Sequence, residues 1–126
     1  MSAKGDRSSP TVFRSAEAER DILERYDRFV ADWPVPLDER DIETRWGSVH
    51  VLSWGVPDGP ALLLCHAASM AATSWLPNAA ALADAGFRCH AVDYIGEANK
   101  SRLTDRDVYP KSGQELGELC ADLMDA

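Results

Sequence analysis

The chain has 126 residues, the size of one domain, and 45% apolar residues is ordinary for a globular protein. Its net charge of −8 disfavours nucleic acid and anionic membranes as partners, and no apolar run approaches the ~20 residues that span a bilayer. Three widely spaced cysteines, Cys65, Cys89 and Cys120, lie in apolar segments and no signal-peptide pattern opens the chain. A cytoplasmic protein with buried, reduced thiols is therefore expected.

The first predicted element is a helix that follows a polar segment. Residues 1–14 contain Gly, Ser, Pro and scattered charges and are predicted to form a mobile tail. A leading helix is predicted within residues 15–33, capped by Ser15 and ended by Pro34. Its apolar stripe consists of Ile22, Leu23, Tyr26, Phe29, Val30 and Trp33. The stripe either docks a partner or, as is commoner, packs on its own domain.

Residues 41–126 are predicted to form a partial sheet with helices. Ile42 to Trp54 alternates imperfectly and is interrupted by Trp46-Gly47, which predicts a hairpin of antiparallel strands. Ala61 to Cys65 contains no polar residue and predicts a strand buried on both faces.

A strand–helix–strand unit follows. Thr73 or Ser74 is predicted to cap a helix from Trp75 to about Ala85, which Gly86 ends. Phe87 to Val92 predicts the next strand. This order indicates an α/β fold class, with an antiparallel hairpin leading into a parallel βαβ unit with a right-handed crossover.

The last part of the chain predicts a loop and a helix. Tyr94 to Lys111 is polar and predicts an irregular loop over the edge of the sheet. Ser112-Gly113-Gln114-Glu115 has the pattern of a capping box. The helix that it opens is expected to continue to Ala126, with an apolar stripe of Leu116, Leu119, Cys120, Leu123 and Met124.

The loop from His66 to Thr73 is the first candidate site, because its small residues let backbone N–H groups approach a ligand at a strand end. His66-Ala67-Ala68 could form an oxyanion hole for acyl transfer. The alternative is a tight turn in which His66 is structural, and residue types alone favour it.

Two further residues are candidates. Ala67 to Ala71 imitates the Gly-x-Ser-x-Gly nucleophile elbow with alanines in the glycine positions, which makes Ser69 a weaker candidate nucleophile without an evident histidine partner. Asp93 follows a strand and could be catalytic, although an aspartate that binds loop amides is commoner.

Metal and cofactor sites are not expected. His50, His66 and His90 lack metal-ligand spacing. Gly96 to Ser101 ends like a nucleotide-binding loop but has Asn99 where that motif requires glycine.

The sequence resembles the amino-terminal half of an α/β-hydrolase-fold protein from Ser15 to Ala126. The resemblance rests on Trp33-Pro34-Val35-Pro36, the strand pair over Glu43 to Trp54, Leu62 to Ala68, Thr73 to Asn78 and Ala91 to Ser101. It implies that the backbone N–H of Ala68 is an oxyanion donor, with Ala67 where the family usually has glycine. It also implies that His66, Ser69 and Asp93 shape the loop or contact substrate.

The resemblance implies hydrolysis of an ester or related acyl bond by a serine nucleophile. In this family the nucleophile elbow follows the helix that begins near Ser112, and the remaining triad residues come later, so the chain ends before all three. We expect the chain alone to be inactive, since an oxyanion hole without a triad leaves only residual catalysis. We also expect marginal stability, self-association or completion by another polypeptide, because an open sheet edge would be exposed. The alternatives are a non-enzymatic remnant that binds a partner or ligand, and a miniature hydrolase that uses Ser69.

Overall fold

A computed structural model describes residues 12–105 and 109–126. Most of the predicted tail therefore lies outside the described residues. The elements in chain order are α1 (Ala16–Ala31), β1 (Leu37–Thr44), β2 (Gly47–Gly55), β3 (Ala61–Cys65), a short 3-10 helix (Ala72–Trp75), α2 (Leu76–Asp84), β4 (Arg88–Val92), β5 (Arg102–Leu103) and α3 (Gly113–Met124). Each described helix is too short or too polar to cross a membrane.

Helix α1 forms where the apolar spacing predicts it. The Ser15 hydroxyl accepts a hydrogen bond from the Ala18 N–H and so satisfies one free donor of the first turn. Tyr26 and Trp33 are buried, and Trp33 meets Trp54 edge to face at 4.9 Å between ring centroids. The stripe thus packs on its own domain, but only in part. The residues of the stripe that stay exposed are Ile22 and Phe29.

The sheet has the order β1-β2-β4-β3, with β5 paired to the start of β2. β1 pairs with β2, and β2 with β4, in antiparallel fashion, whereas β3 and β4 are parallel. The predicted hairpin and the parallel βαβ unit are therefore confirmed. The hairpin begins at Leu37 rather than after residue 40, because residues 38–41 are exposed and polar and carry no apolar alternation.

The prediction that β3 is buried on both faces is wrong. β3 pairs only with β4 within the described residues; Ala61 and Cys65 are exposed and the leucines between them are half-buried. An apolar run indicates that the side chains of a strand favour apolar surroundings, but it does not indicate how many strands lie beside it. The strand with both faces buried is β2, where burial extends from Gly47 to Trp54 except for the half-buried Ser48.

Two hydrophobic clusters cover opposite faces of the sheet. The first lies against α1 and α2 and includes Tyr26, Trp33, Leu52, Trp54, Ala79, Cys89 and Ala91. The second lies against α3 and includes Trp46, Val49, Val51, Val92, Leu119 and Leu123. Because neighbouring residues of a strand point to opposite faces, β2 contributes alternate side chains to both clusters.

The start of α2 differs from the prediction, whereas its end agrees with it. Neither Thr73 nor Ser74 caps α2, because both belong to the preceding 3-10 helix. Gly86 ends the helix with a φ of +95°. Its N–H donates to Ala83 O, and the Phe87 N–H donates to a carbonyl one residue further back, which is the Schellman arrangement.

The segment after β4 was predicted to be an irregular loop, but it contains β5. Gly47 pairs with Leu103 in this ladder, and its φ is +141°. A Cβ on Gly47 would lie 2.0 Å from Arg102 O, so only glycine allows the two strands to approach this closely. Residues 106–108 of the predicted loop lie outside the described part.

One of the two hydrogen bonds of the predicted capping box of α3 is confirmed. The Glu115 N–H donates to the Ser112 hydroxyl at 3.1 Å, but the Glu115 carboxylate accepts from the Lys111 N–H instead of completing the box at Ser112. The expectation that α3 continues to the last residue is wrong. It ends at Met124, and the Asp125 N–H donates to Ala121 O.

Candidate active site

The loop after β3 is fixed by the His66 ring. His66 is buried; its Nδ1 lies 2.7 Å from Ala67 O, and its Nε2 lies 2.9 Å from the Tyr94 backbone N. The carbonyl can only accept and the amide can only donate, so these bonds require a neutral ring with its proton on Nδ1. The ring also packs against that of Tyr94, at 4.0 Å between centroids. His66 therefore ties the loop to the end of β4, as the structural interpretation predicts.

The loop then makes a tight turn at Ser69. Ala67 O accepts a hydrogen bond from the Met70 N–H at 3.1 Å, and Ser69 has a φ of +64°. Ser69 is the one non-glycine residue with positive φ in the described ranges. Its N–H donates to the Glu97 carboxylate at 2.9 Å. Because Ala67 itself has no positive φ, alanine fits where the family usually has glycine.

The Ala68 N–H is a free donor in this turn. Ala68 is exposed, and in the part of the chain that the structure describes its N–H makes no hydrogen bond. The residues on both sides of Ala68 are held by hydrogen bonds. Ala67 O bonds the His66 ring, and the Ser69 N–H donates to the Glu97 carboxylate. A free backbone donor in a fixed turn at a strand end has the geometry that could stabilise an oxyanion.

Asp93 connects two loops through hydrogen bonds to its carboxylate. Its side chain is fully buried, Oδ1 accepts from the Ala72 N–H at 2.8 Å, and Oδ2 accepts from the Lys100 N–H at 3.2 Å. Burial raises the pKa of Asp93, and these hydrogen bonds oppose the rise. The carboxylate therefore connects the 3-10 helix to the segment after β4, which is the commoner of its two predicted roles.

Next to Asp93 is a cluster of polar side chains that the sequence did not indicate. The Tyr26 hydroxyl is buried and has no hydrogen bond of ordinary geometry to any other described residue. Burial, and next the charge of Asp93, raises the pKa of Tyr26. Lys100 Nζ lies 4.7 Å from the Tyr26 ring centroid and pairs with Asp27.

His50 extends this cluster to the hairpin. Its Nδ1 lies 2.7 Å from the Asp41 carboxylate, and its Nε2 lies 2.8 Å from that of Glu39. The Tyr26 ring packs edge-on against the imidazole. The members of the cluster come from α1, β1, β2 and the segment after β4, so no local spacing could have predicted it.

Ser69 has no histidine base. The rings of His50 and His66 bond the groups given above, and His90 Nδ1 bonds the Ser53 hydroxyl at 2.7 Å. These are all three histidines of the chain, and none has a hydrogen bond to Ser69. Among the described residues, no three His, Cys, Asp or Glu side chains converge on a point that could hold a metal ion.

An apolar groove of about 420 Å³ lies beside the Ser69 turn. Met70 and Phe29 contribute to its walls, and half of each side chain is exposed. Its other lining residues are Ser69, Ala71, Thr73, Ser74, Leu76 and Pro77. The groove therefore joins the exposed part of the α1 stripe to the candidate loop.

The chain is similar to known carboxylesterases. It is 35% identical over 89 residues to carboxylesterase YbfK of Bacillus subtilis, a match covering 71% of this chain and 30% of that protein. The crystal structure of that carboxylesterase superposes on 87% of this chain with a TM-score of 0.79 and covers 37% of the other chain. Naproxen esterase from the same organism gives a TM-score of 0.75 at 31% identity, over 90% of this chain and 38% of the other. No family model matches the sequence.

The chain carries part of the α/β-hydrolase fold, and its homologues and structural neighbours are α/β-hydrolases. Its relatives include carboxylesterases and epoxide hydrolases. The match spans less than a third of the length of the curated carboxylesterases, 30% of one and 25% of another.

Proposed function

We propose that this chain supplies the oxyanion-binding part of a serine carboxylesterase. The observation that carries the proposal is the free N–H of Ala68 in a turn held by His66 and Glu97 at the end of β3. The similarity to carboxylesterases, which is strongest in the structural superpositions, supports ester hydrolysis over other reactions of the family. The proposed substrate is a small-molecule ester, and the proposed compartment is the cytoplasm, where Cys65, Cys89 and Cys120 stay reduced.

In the proposed reaction a serine oxygen attacks the ester carbonyl, and negative charge develops on the carbonyl oxygen. The Ala68 N–H would donate to this oxygen. The two bonds of His66 and the bond from Ser69 to Glu97 keep the donor in place, so that little reorganisation is needed. The nucleophile, the acid and the base lie outside this sequence, which contains no Gly-x-Ser-x-Gly pattern. The chain alone is proposed to be inactive.

The first test measures p-nitrophenyl acetate hydrolysis and fluorophosphonate labelling of the purified chain, with the labelled residue read by mass spectrometry. We expect neither turnover nor label. Stoichiometric labelling of Ser69 that is lost in Ser69→Ala would contradict the proposal and favour the miniature hydrolase.

The second test measures directly whether the Ala68 N–H contributes to ester hydrolysis. The matching residues of carboxylesterase YbfK are replaced by this chain, and esterase activity of the chimera is measured. Ala68→Pro removes the N–H and is expected to lower kcat about 10²–10³-fold with a smaller effect on KM. Ala68→Gly keeps the N–H and is expected to retain most of the activity. A folded but inactive chimera would instead favour a non-enzymatic remnant that binds a partner or ligand.

A further inference from the structure

The apolar groove and the free N–H of Ala68 belong to the same turn. The apolar walls of the groove consist of Phe29 of α1, Met70 of the turn, and Leu76 and Pro77 at the start of α2. Ser69, the residue directly after the donor, also lines the groove. The bond from the Met70 N–H to Ala67 O closes the turn around Ala68 and Ser69. A ligand atom at the donor therefore has the groove directly beside it.

The walls of the groove select an uncharged, apolar group. None of the described residues that line it carries a charged side chain, and its polar side chains all end in hydroxyl groups. Half of Phe29 and half of Met70 are exposed to water in the absence of a ligand. Covering such surface is favourable, at roughly fourfold in affinity for each methylene group that a ligand buries completely.

The size of the groove fits a medium-length chain. Its volume of about 420 Å³ lies within the range of ~300–1,000 Å³ that is typical of small-molecule sites. A cavity of ~150 Å³ holds one benzene molecule, which is ~25 Å³ per carbon atom. On that scale, a chain of about eight carbons fills about half of this open groove.

We propose that the groove binds the acyl chain of the ester substrate, and that Phe29 and Met70 determine a preference for medium-length acyl esters over acetates. This inference rests on the proposed esterase function, because it takes the Ala68 N–H as the donor to the carbonyl oxygen. It adds a substrate class and two specificity-determining residues to that function.

The place of the groove fits the acyl part of the ester rather than the alcohol part. Attack by the serine oxygen forms a serine–acyl bond, the bond to the alcohol oxygen breaks, and the alcohol takes up a proton and leaves. Water then attacks the acyl group and releases the carboxylic acid. The acyl carbonyl oxygen needs the donor in both steps. A wall built by the residues directly after Ala68 therefore contacts the acyl group throughout the reaction.

Phe29 is a wall residue that needs little ordering when a ligand binds. One turn further along α1, Trp33 packs edge to face against Trp54, and Val30 packs in the same hydrophobic cluster. This end of the helix is therefore fixed to the domain, which lowers the entropy cost of binding. Ile22 is also exposed on α1 but lies two turns away and does not line the groove, so it offers a matched control.

The first experiment titrates the purified chain with sodium octanoate and follows the Ala68 amide and the Met70 methyl group by NMR. A carboxylate oxygen of octanoate stands in for the carbonyl oxygen at the donor. We expect both signals to shift together, and octanoate to bind about tenfold or more tightly than butanoate, because four more methylenes are buried. Phe29→Ala is expected to weaken octanoate binding about fivefold, whereas Ile22→Ala leaves it unchanged.

The second experiment measures hydrolysis of p-nitrophenyl octanoate and p-nitrophenyl acetate by the chimera with carboxylesterase YbfK. Phe29→Ala is expected to lower kcat/KM about fivefold for the octanoate ester and to leave the acetate ester within about twofold, because an acetyl group is too short to fill the groove. If the oxyanion role is wrong, Ala68→Pro does not lower the rate for either ester. If the acyl site alone is wrong, Ala68→Pro lowers both rates, but Phe29→Ala affects the two esters equally.

Three further results would overturn the acyl site. The first is that octanoate shifts the signals of Leu63 and Met124, on the α3 side of the sheet, instead of those of Ala68 and Met70. The second is that Phe29→Ala and Ile22→Ala weaken octanoate binding equally. The third is that Phe29→Ala abolishes association of the ligand-free chain in sedimentation velocity, which would show that a second copy occupies the groove.

Discussion

The turn at Ser69 shows how a single residue can hold strain at a candidate site. A non-glycine residue in the left-handed region is disfavoured by about 1–2 kcal/mol because its Cβ crowds the following carbonyl oxygen. The surrounding bonds, from Met70 to Ala67 and from Ser69 to Glu97, outweigh this strain. Strained residues often cluster at functional sites, and this one lies beside the free N–H of Ala68.

We therefore predict that Ser69→Gly stabilises the chain. Glycine adopts this φ without a steric penalty, and after its larger loss of backbone entropy a gain of about 0.5–1 kcal/mol in the free energy of unfolding remains. Ser74→Gly is the matched control. Ser74 lies in the 3-10 helix, so the same substitution should lower the free energy of unfolding. Urea denaturation of both variants distinguishes the two cases, and destabilisation by Ser69→Gly would show that the serine side chain has a role of its own.

At the residue scale the sequence predicted the strand ends beside the candidate loop better than the conformation of the loop itself. His66 and Asp93 were placed correctly at strand ends, because a polar residue that closes an apolar run is visible in sequence. Their structural roles were also the ones that residue types favour. The positive φ of Ser69 could not be predicted, because it depends on Glu97, which lies far away in sequence and reaches back to the turn.

Elements are predictable where local chemistry fixes them. Ser15, Gly86 and Ser112 mark helix ends through bonds within a few residues, and the structure shows these bonds. β5 was missed because it is very short and forms only through pairing with β2. The exposure of β3 was missed for a related reason, since the number of strands beside it is not encoded in its own residues.

The contact between β2 and β5 gives a sharp prediction at this scale. Gly47→Ala is expected to lower the free energy of unfolding by about 2 kcal/mol or more, because the new Cβ would overlap Arg102 O in a backbone that already has positive φ. Gly113→Ala is the matched control, because no atom of the described residues lies within 4 Å of its Cβ position and its φ is ordinary. That variant should be neutral or stabilising by a few tenths of a kcal/mol. Equal effects in urea denaturation would show that β5 contributes nothing to stability.

At the scale of the whole molecule, the two faces of the sheet are covered unevenly near β3. The strand is apolar throughout, and its outer edge has no partner strand among the described residues. A cavity of about 130 Å³ opens on the α3 side, lined in part by Leu63, Val92 and Met124, and Met124 is 72% exposed. An exposed, uncharged edge beside an apolar face favours pairing with another polypeptide.

We predict that the chain associates in solution through β3 and that a charge on this strand reduces the association. Ala61 is exposed at the start of β3, so Ala61→Lys places a lysine on the edge without disturbing the core. Ala81→Lys is the matched control, because Ala81 is an exposed alanine on α2 away from the edge. Sedimentation velocity at several concentrations should show association for the unmodified chain and for Ala81→Lys, but less for Ala61→Lys. If all three sediment as monomers, the open edge does not drive association. If both lysine variants dissociate equally, net charge rather than the edge controls it.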